Sequence, residues 1–401
     1  MAVRLLWTAN LITRDSRMLS AGTTKPCLIF SNYELKLTDG GPSGFLAQNL
    51  VGTSSAYYHL GTADHPSRRT FWQAALRHLR GGRDTIPPSL RANKSPYFLS
   101  RALRTRTIFE RENAAGYPFI WFHDVFAFAA CEDLLPPSQK VILQSHSPQL
   151  PSEEIAAAPR STPGDIEWVE RAQARAFARA DVCVFPNADS ARIYESLLTE
   201  RNELRYVMSG CRPMTPRYDL PLDPAYIYYL YIGRRVHIKG FDIVLEAFKQ
   251  IYDTDAAVKL LLLGSGDVVQ HPGIIDVGHV TDPASWLAAC DYMISANVQS
   301  YFDLAVMEAL SLGTPIILTC TGGHRDFMNA QSAGIIPVRE ADPQLLAASM
   351  LANRTKRLQN AARCDANRKL YSDSYSDAKY RERLDLFLSD LTRDGHTRRI
   401  A

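Results

Sequence analysis

Short apolar runs alternate with amphipathic stretches through almost the whole chain. In the first half the runs are Cys27–Ser31, Phe119–Phe122, Val141–Gln144, Val182–Phe185 and Leu204–Met208. In the second half they are Ile227–Ile232, Lys259–Leu263, Tyr292–Ser295, Thr314–Leu318 and Ile335–Val338. They are rich in β-branched or aromatic residues and apolar at successive positions, the pattern of strands covered on both faces. Helical periods lie between them, as in Gly240–Tyr252, where Val244, Ala247, Phe248 and Ile251 share one face. Two successive strand–helix series predict an α/β protein of two Rossmann-like domains facing each other across a cleft, with ligands at the strand carboxyl ends.

The series breaks at Cys211–Pro224, where proline recurs four times and helical phases stop. This predicts an N-terminal extension (1–24), a first domain (25–215) with a basic helical insert (66–114), a second domain (216–370) and a closing segment (371–401). In the closing segment, the helical run Ser376–Leu391 carries Leu384, Leu386, Phe387 and Leu391 and is expected to pack back on the first domain.

Composition sharpens the class. A chain of 401 residues, 46% hydrophobic and 22% charged, has material for two cores and is not disordered. A formal charge of +3 gives no general electrostatic case for nucleic acid, and no such partner is expected. The seven cysteines occur singly, without a CxxC pair, which excludes a disulfide framework. No apolar run approaches the roughly 20 residues of a membrane span. The amino terminus lacks the small-residue cleavage site of a signal peptide, so a cytoplasmic location is expected.

The near-neutral average hides one local excess. Arg68–Glu112 holds eleven basic residues against three acidic ones, beside an apolar stripe of Phe71, Trp72, Ala75, Leu76 and Leu79. Such a segment fits a solvated face whose stripe enters the core. It equally fits peripheral contact with an anionic membrane or a pyrophosphate-linked lipid.

Four features cluster after the break. Gly233-Arg234 and Lys239-Gly240 sit between a strand and a helix, so two cations lie beside the open N–H groups of a helix start. That combination suits a diphosphate. Leu263-Gly264-Ser265-Gly266 ends a strand and, alone, reads as a tight turn; Gly278-His279-Val280 reads as a connector that could offer backbone groups to a base. Last comes Ser300-Tyr301-Phe302-Asp303, which opens a helix with Leu304, Met307 and Leu312 on its core face and Glu308 in an apolar setting. A carboxylate so placed needs donors, and two vicinal ribose hydroxyls would serve.

Together these features resemble the donor half of the GT-B glycosyltransferases, of the retaining family 4 type. The family pattern runs from a GR…KG clamp through a GxG strand end and a GxV turn to E-x7-E, then A-x-x-x-G-x-P and a Gly-Gly turn. Here Glu308-Ala309, Gly313-Thr314-Pro315 and Gly322-Gly323 match the last parts. The resemblance implies that Arg234 and Lys239 hold a nucleotide diphosphate and Glu308 its ribose. It also implies that Gly266, Val280, Phe302 and Leu304 line the donor. The first Glu of E-x7-E falls on Ser300, and a usual glycine on Asp303. Asp303, three residues along, is the candidate sugar-facing carboxylate in its place.

The first half continues the likeness. Gly40-Gly41-Pro42-Ser43-Gly44 is similar to the family's glycine loop, with Gly41 near the donor phosphate. His123 and His146 each end an apolar strand where the family has histidines, the second usually contacting the donor sugar. The implied activity is transfer, with retention, of a sugar from a nucleotide-diphosphate donor to a glycan or lipid-linked acceptor. A role in bacterial cell-surface polysaccharide assembly, at the inner face of the cytoplasmic membrane, is implied in the same way. The leaving diphosphate can take the acceptor's proton, so catalysis by positioning and charge stabilisation is expected. No acidic pair of the DxD kind is visible, and neither metal nor cofactor is expected. Two rival readings stand: a nucleotide- or glycan-binding protein without turnover, which Ser300 favours, and a nucleotide-sugar epimerase, which would need acid/base carboxylates in the cleft.

Overall fold

The computed structural model describes residues 26–32, 41–50, 57–60, 90, 96–111, 114–158 and 161–397. The expected extension (1–24) and, of the basic segment Arg68–Glu112, residues 68–89, 91–95 and 112 lie outside them. Among the described residues the strands are β1 (Cys27–Phe30), β2 (Tyr57–Leu60), β3 (Phe119–Phe122), β4 (Lys140–Leu143), β5 (Val182–Phe185), β6 (Glu203–Tyr206), β7 (Ile227–Ile232), β8 (Val258–Leu263), β9 (Ile274–Gly278), β10 (Tyr292–Ser295), β11 (Ile316–Thr319) and β12 (Ile335–Val338). The helices used below are α1 (Gly41–Leu50), α2 (Pro96–Arg111), α3 (Val125–Cys131), α4 (Pro151–Ala156), α5 (Pro163–Arg179), α6 (Ala188–Arg192), α7 (Phe241–Thr254), α8 (Pro283–Ala289), α9 (Leu304–Leu312), α10 (His324–Asn329), α11 (Pro343–Ala352), α12 (Ala361–Leu370) and α13 (Asp377–Thr397).

Two six-stranded sheets result, ordered β2-β1-β3-β4-β5-β6 and β12-β11-β10-β7-β8-β9. All pairings are parallel. Parallel strands must be covered on both faces, and the alternation of side chains shows how. Tyr229 and Tyr231 of β7 point into a cluster with Val244, Phe248 and Ile251 of α7. Tyr228 and Leu230 point the other way, into a core shared with Met307 and Leu310 of α9. That second core continues into the first half through Tyr301, Phe302, Tyr371 and Tyr375, so an apolar seam joins the two sheets.

The remaining face of the first sheet is partly covered by Phe45, Leu46 and Leu50 of α1 and closed from the far end of the chain. Cys27, Ile29, Trp121, Ile142 and Val184 pack against Tyr380, Leu384, Phe387, Leu388 and Leu391 of α13. Those five α13 residues fall at helical spacing on one face. Leu386, expected among them, is 58% exposed, and Leu388 takes its place. The chain crosses between the halves twice, and the crossings are pinned together. Cys211 bridges Ser376, its N–H donates to Tyr375 O, and its carbonyl accepts from Asp377 N and the Tyr371 hydroxyl.

Helix α2 carries most of the described part of the basic segment. Ala102, Ile108 and Phe109 are buried in the core of the first half. Arg101 donates to the Asn32 carbonyl, and Arg106 donates to Asp133 at 2.6 Å. These arginines are tied into the fold. No helix among the described residues is long and apolar enough to cross a membrane.

Truncating a core position of α13 leaves a cavity under the sheet. Leu384→Ala is expected to cost about 2–5 kcal/mol in equilibrium urea unfolding. Leu386→Ala on the exposed face should stay within about 0.5 kcal/mol.

Candidate active site

In each sheet the strand order reverses once, between β1 and β3 and between β7 and β10. Connections there leave in opposite directions and open a crevice at the strand carboxyl ends. The two crevices face a common cavity of about 800 Å³. Its wall includes Gly41, His146, Arg234, Lys239, Val280, Phe302, Asp303, Leu304 and Glu308. Two expected residues lie elsewhere. Gly266 is off the wall and packs against the Arg235 side chain, while Gly264 and Ser265 face the cavity. His123 is fully buried behind His146.

The loop after β7 carries Arg234 and Arg235, which have different duties. Arg235 is buried and grips Asp276 of β9 with both terminal nitrogens. Arg234 is 57% exposed at the mouth, 3.5 Å from Glu154 of α4 on the opposite half. Lys239 follows on a single turn of 3₁₀ helix that ends at Gly240. Gly240 takes φ +64, and a Cβ there would run into the Ala296 carbonyl, so only glycine lets α7 start this close to the end of β10.

Asp303 receives Lys239. Its Oδ1 lies 2.5 Å from Lys239 Nζ, and its Oδ2 accepts from Asn297 Nδ2 at 2.5 Å and meets His324 Nε2 at 2.6 Å. Ser300 Oγ is 3.4 Å away. Burial opposes ionisation of Asp303, but Lys239 and His324 outweigh it and hold the carboxyl well below the usual range. Asp303 occupies the N-cap position of α9, yet its side chain makes no cap hydrogen bond. Asp303, the candidate sugar-facing carboxylate, thus lines the cavity with both oxygens held by protein donors. Turning it inward leaves the Leu304 and Ala305 amides without an acceptor among the described residues, on the cavity wall. Open amides at a helix start attract anions.

Glu308 lies one turn further along α9, and 9% of it is exposed. Its Oε1 accepts from Gln48 Nε2 of α1 at 3.0 Å, a contact between the halves. Burial raises its pKa from 4.5 to about 7, against the smaller opposing effect of Gln48. His146 follows β4 and faces Phe45 and Tyr301, with its Nε2 2.8 Å from His123 Nδ1. Burial pushes its pKa down to about 3, so the ring is neutral at physiological pH and serves as a hydrogen-bonding group, not a cation.

Sequence reasoning did not find Gln48, Asn297 or His324. Asn297 was legible as a polar residue just past β10, at the order reversal. Gln48 and His324 carried no local signal, because their partners come from other parts of the chain.

Glu308 makes a stability prediction with a definite sign. Its raised pKa means the native state holds a proton that the unfolded chain releases above about pH 4.5. Its contribution is full below pH 4.5, declines up to about pH 7 and is lost above it. Relative to Glu308→Gln, the native chain should therefore lose about 3 kcal/mol across that window in urea unfolding at stepped pH.

Residues 227–353 match the family model described as glycosyl transferases group 1. The capsular polysaccharide biosynthesis glycosyltransferase CapM of Staphylococcus aureus is 28% identical over 119 residues, 26% of this chain and 31% of that protein. The D-inositol 3-phosphate glycosyltransferase of Streptosporangium roseum is 27% identical over 150 residues, 32% of this chain and 34% of the other. The chain thus spans about a third of the length of these curated relatives. Among solved structures, sucrose-phosphate synthase from Thermosynechococcus elongatus superposes with a TM-score of 0.66 at 17% identity, covering 92% of this chain and 99% of that one. Anabaena HepE in complex with UDP and glucose gives 0.59 at 13% identity, covering 91% and 100%. Two parallel sheets, a cavity at their reversals and these superpositions give the chain the GT-B fold, and within it residues 227–353 are similar to the glycosyl transferases group 1.

Proposed function

We propose that the protein is a retaining glycosyltransferase that moves a sugar from a nucleotide-diphosphate donor to a glycan or lipid-linked acceptor. The observation that carries this reading is the placement of Arg234, Lys239 and the uncapped start of α9 on one cavity wall with the buried Glu308. Two cations and two open amides match a diphosphate, and a desolvated carboxylate one turn away matches the vicinal hydroxyls of a ribose. Arg234 and Lys239 are each paired with a carboxylate, Glu154 and Asp303, that the diphosphate would displace or share. Neutral His146, reaching in from the first half, is placed to hydrogen-bond the donor sugar rather than to exchange protons.

Departure of the diphosphate spreads negative charge towards Arg234, Lys239 and the α9 amides. The sugar centre becomes oxocarbenium-like, and attack from the same face gives retention. The leaving diphosphate accepts the acceptor's proton, so no protein base is required. In this reading the protein's own cations neutralise the diphosphate, and turnover is independent of added metal. A place in bacterial surface-polysaccharide assembly is supported by the similarity to CapM. A cytoplasmic setting is supported by seven free cysteines, six of them buried. Peripheral contact with an anionic membrane rests on the charge excess of the basic segment Arg68–Glu112, of which Arg101 and Arg106 bond within the fold.

A second reading is favoured by two specific observations. Ser300, where the family pattern has its first glutamate, is fully buried, and Asp303 is engaged by protein donors. With no carboxylate left for the donor sugar, the protein would bind a nucleotide without turnover.

Isothermal calorimetry and donor hydrolysis separate the readings. Arg234→Ala and Lys239→Ala should each weaken nucleoside-diphosphate binding by roughly 10-fold or more, as expected for a charged hydrogen bond. A panel of nucleotide sugars should yield at least one that is hydrolysed slowly, with the rate unchanged in EDTA. Binding without hydrolysis or transfer of any donor would favour the second reading, and rescue by manganese after EDTA would overturn metal independence.

A further inference from the structure

Beneath the cavity the two halves are joined by a relay of polar groups as well as by the apolar seam. Gln48, on the buried face of α1, donates from Nε2 to Glu308 Oε1 at 3.0 Å, and its Oε1 accepts the Arg212 main-chain N–H at 3.1 Å. Arg212 Nε donates back to the Gln48 carbonyl at 2.9 Å. A main-chain N–H only donates and a carboxylate only accepts, so one orientation of the amide satisfies both ends. Three pieces of chain meet there: α1, the crossover after Cys211, and α9. Gln48 and Glu308 are 4% and 9% exposed, and both border the cavity. Among the described residues nothing donates to Glu308 Oε2, which leaves that oxygen for a ligand hydroxyl.

We propose that Gln48 is a positioning residue for the ribose: it aims Glu308 from the opposite half and so makes nucleotide binding depend on where α1 sits. The proposal rests on Glu308 being the ribose carboxylate. Gln48 fixes the carboxylate plane through Oε1, and Arg212 fixes Gln48, so the carboxylate is oriented before the ligand arrives. With both side chains nearly buried, such a bond counts for more than at the surface. The coupling runs both ways. A ribose that holds Glu308 in this orientation favours the arrangement in which α1 lies against it, and the first turn of α1 also lines the cavity. The first half thereby registers a ligand whose diphosphate and ribose contacts lie in the second.

The test uses the full-length chain with Gln48→Met, which keeps length but removes both hydrogen bonds, and Gln48→Glu, which keeps an acceptor for Arg212 but turns an oxygen towards Glu308. UDP, GDP, ADP and CDP are titrated first, and the tightest is compared with its 2′,3′-dideoxy counterpart. The native chain should prefer the ribose form. Both variants should lose roughly 10-fold in affinity for the ribose form and less than about twofold for the dideoxy form, with each variant still showing a cooperative thermal transition. Equal losses for the two ligands would show that Gln48 supports the cleft in general, and would overturn the proposal. So would native affinities in both variants while Glu308→Gln abolishes the ribose preference; that result leaves Glu308 in its role and removes Gln48. A native chain indifferent to the ribose hydroxyls overturns the assignment of Glu308 and this proposal with it.

Discussion

A carboxylate withdrawn from water has to be met by donors, and the way Asp303 is met organises the site. Lys239 comes from the turn after β7, Asn297 from the end of β10, His324 from the start of α10, and all three converge on two oxygens. The termini of separate elements are thereby fixed to one point. The same choice denies α9 its usual side-chain cap, so the first amides of that helix keep their donors. It also divides the labour among the basic residues. Arg235 is spent on Asp276 and Lys239 is held in the interior, while Arg234 stands at the mouth. The anion-attracting character of the cavity follows from where one aspartate points.

Local pattern carried the fold well where burial was two-sided. Phe119–Phe122, Val182–Phe185, Ile227–Ile232 and Tyr292–Ser295 appear with their expected bounds, because a strand covered on both faces is apolar at successive positions. Of the four edge strands among the described residues, β6 and β12 were legible, while β2 and β9 escaped. β9 needs only one covered face and spends Asp276 on Arg235, so its sequence resembles a loop. The helical period of α13 was legible, but its phase was not: Leu386 faces solvent and Leu388 the sheet.

The site divides along a similar line. Arg234, Lys239 and Glu308 could be picked out because each belongs to a short segment whose own strand–helix context advertises it. Gln48 could not, since the partner that gives it meaning lies 260 positions away. His123 and His146 looked equivalent as strand-end histidines; only the packing of β3 and β4 decides that one ring faces the cavity and the other stands behind it. Glycines were the least informative. Gly264 and Gly266 share a turn, yet one meets the cavity and the other covers an arginine. The family match likewise falls on the second half, where the cations, amides and carboxylate come in a fixed order along the chain.

Helix α13 belongs to the second half by sequence and to the first by packing, and that has a consequence for how the protein comes into being. On the ribosome the strands of the first sheet emerge early, but the face formed by Ile29, Trp121 and Val184 has only Phe45, Leu46 and Leu50 of α1 over it until Tyr380–Leu391 has been made. The second half, whose two faces are covered by its own helices, can close beforehand. The part of the molecule synthesised first is therefore the last to be finished. Until then it presents part of an apolar sheet face to its surroundings, and a chain that stops short of α13 keeps that part open.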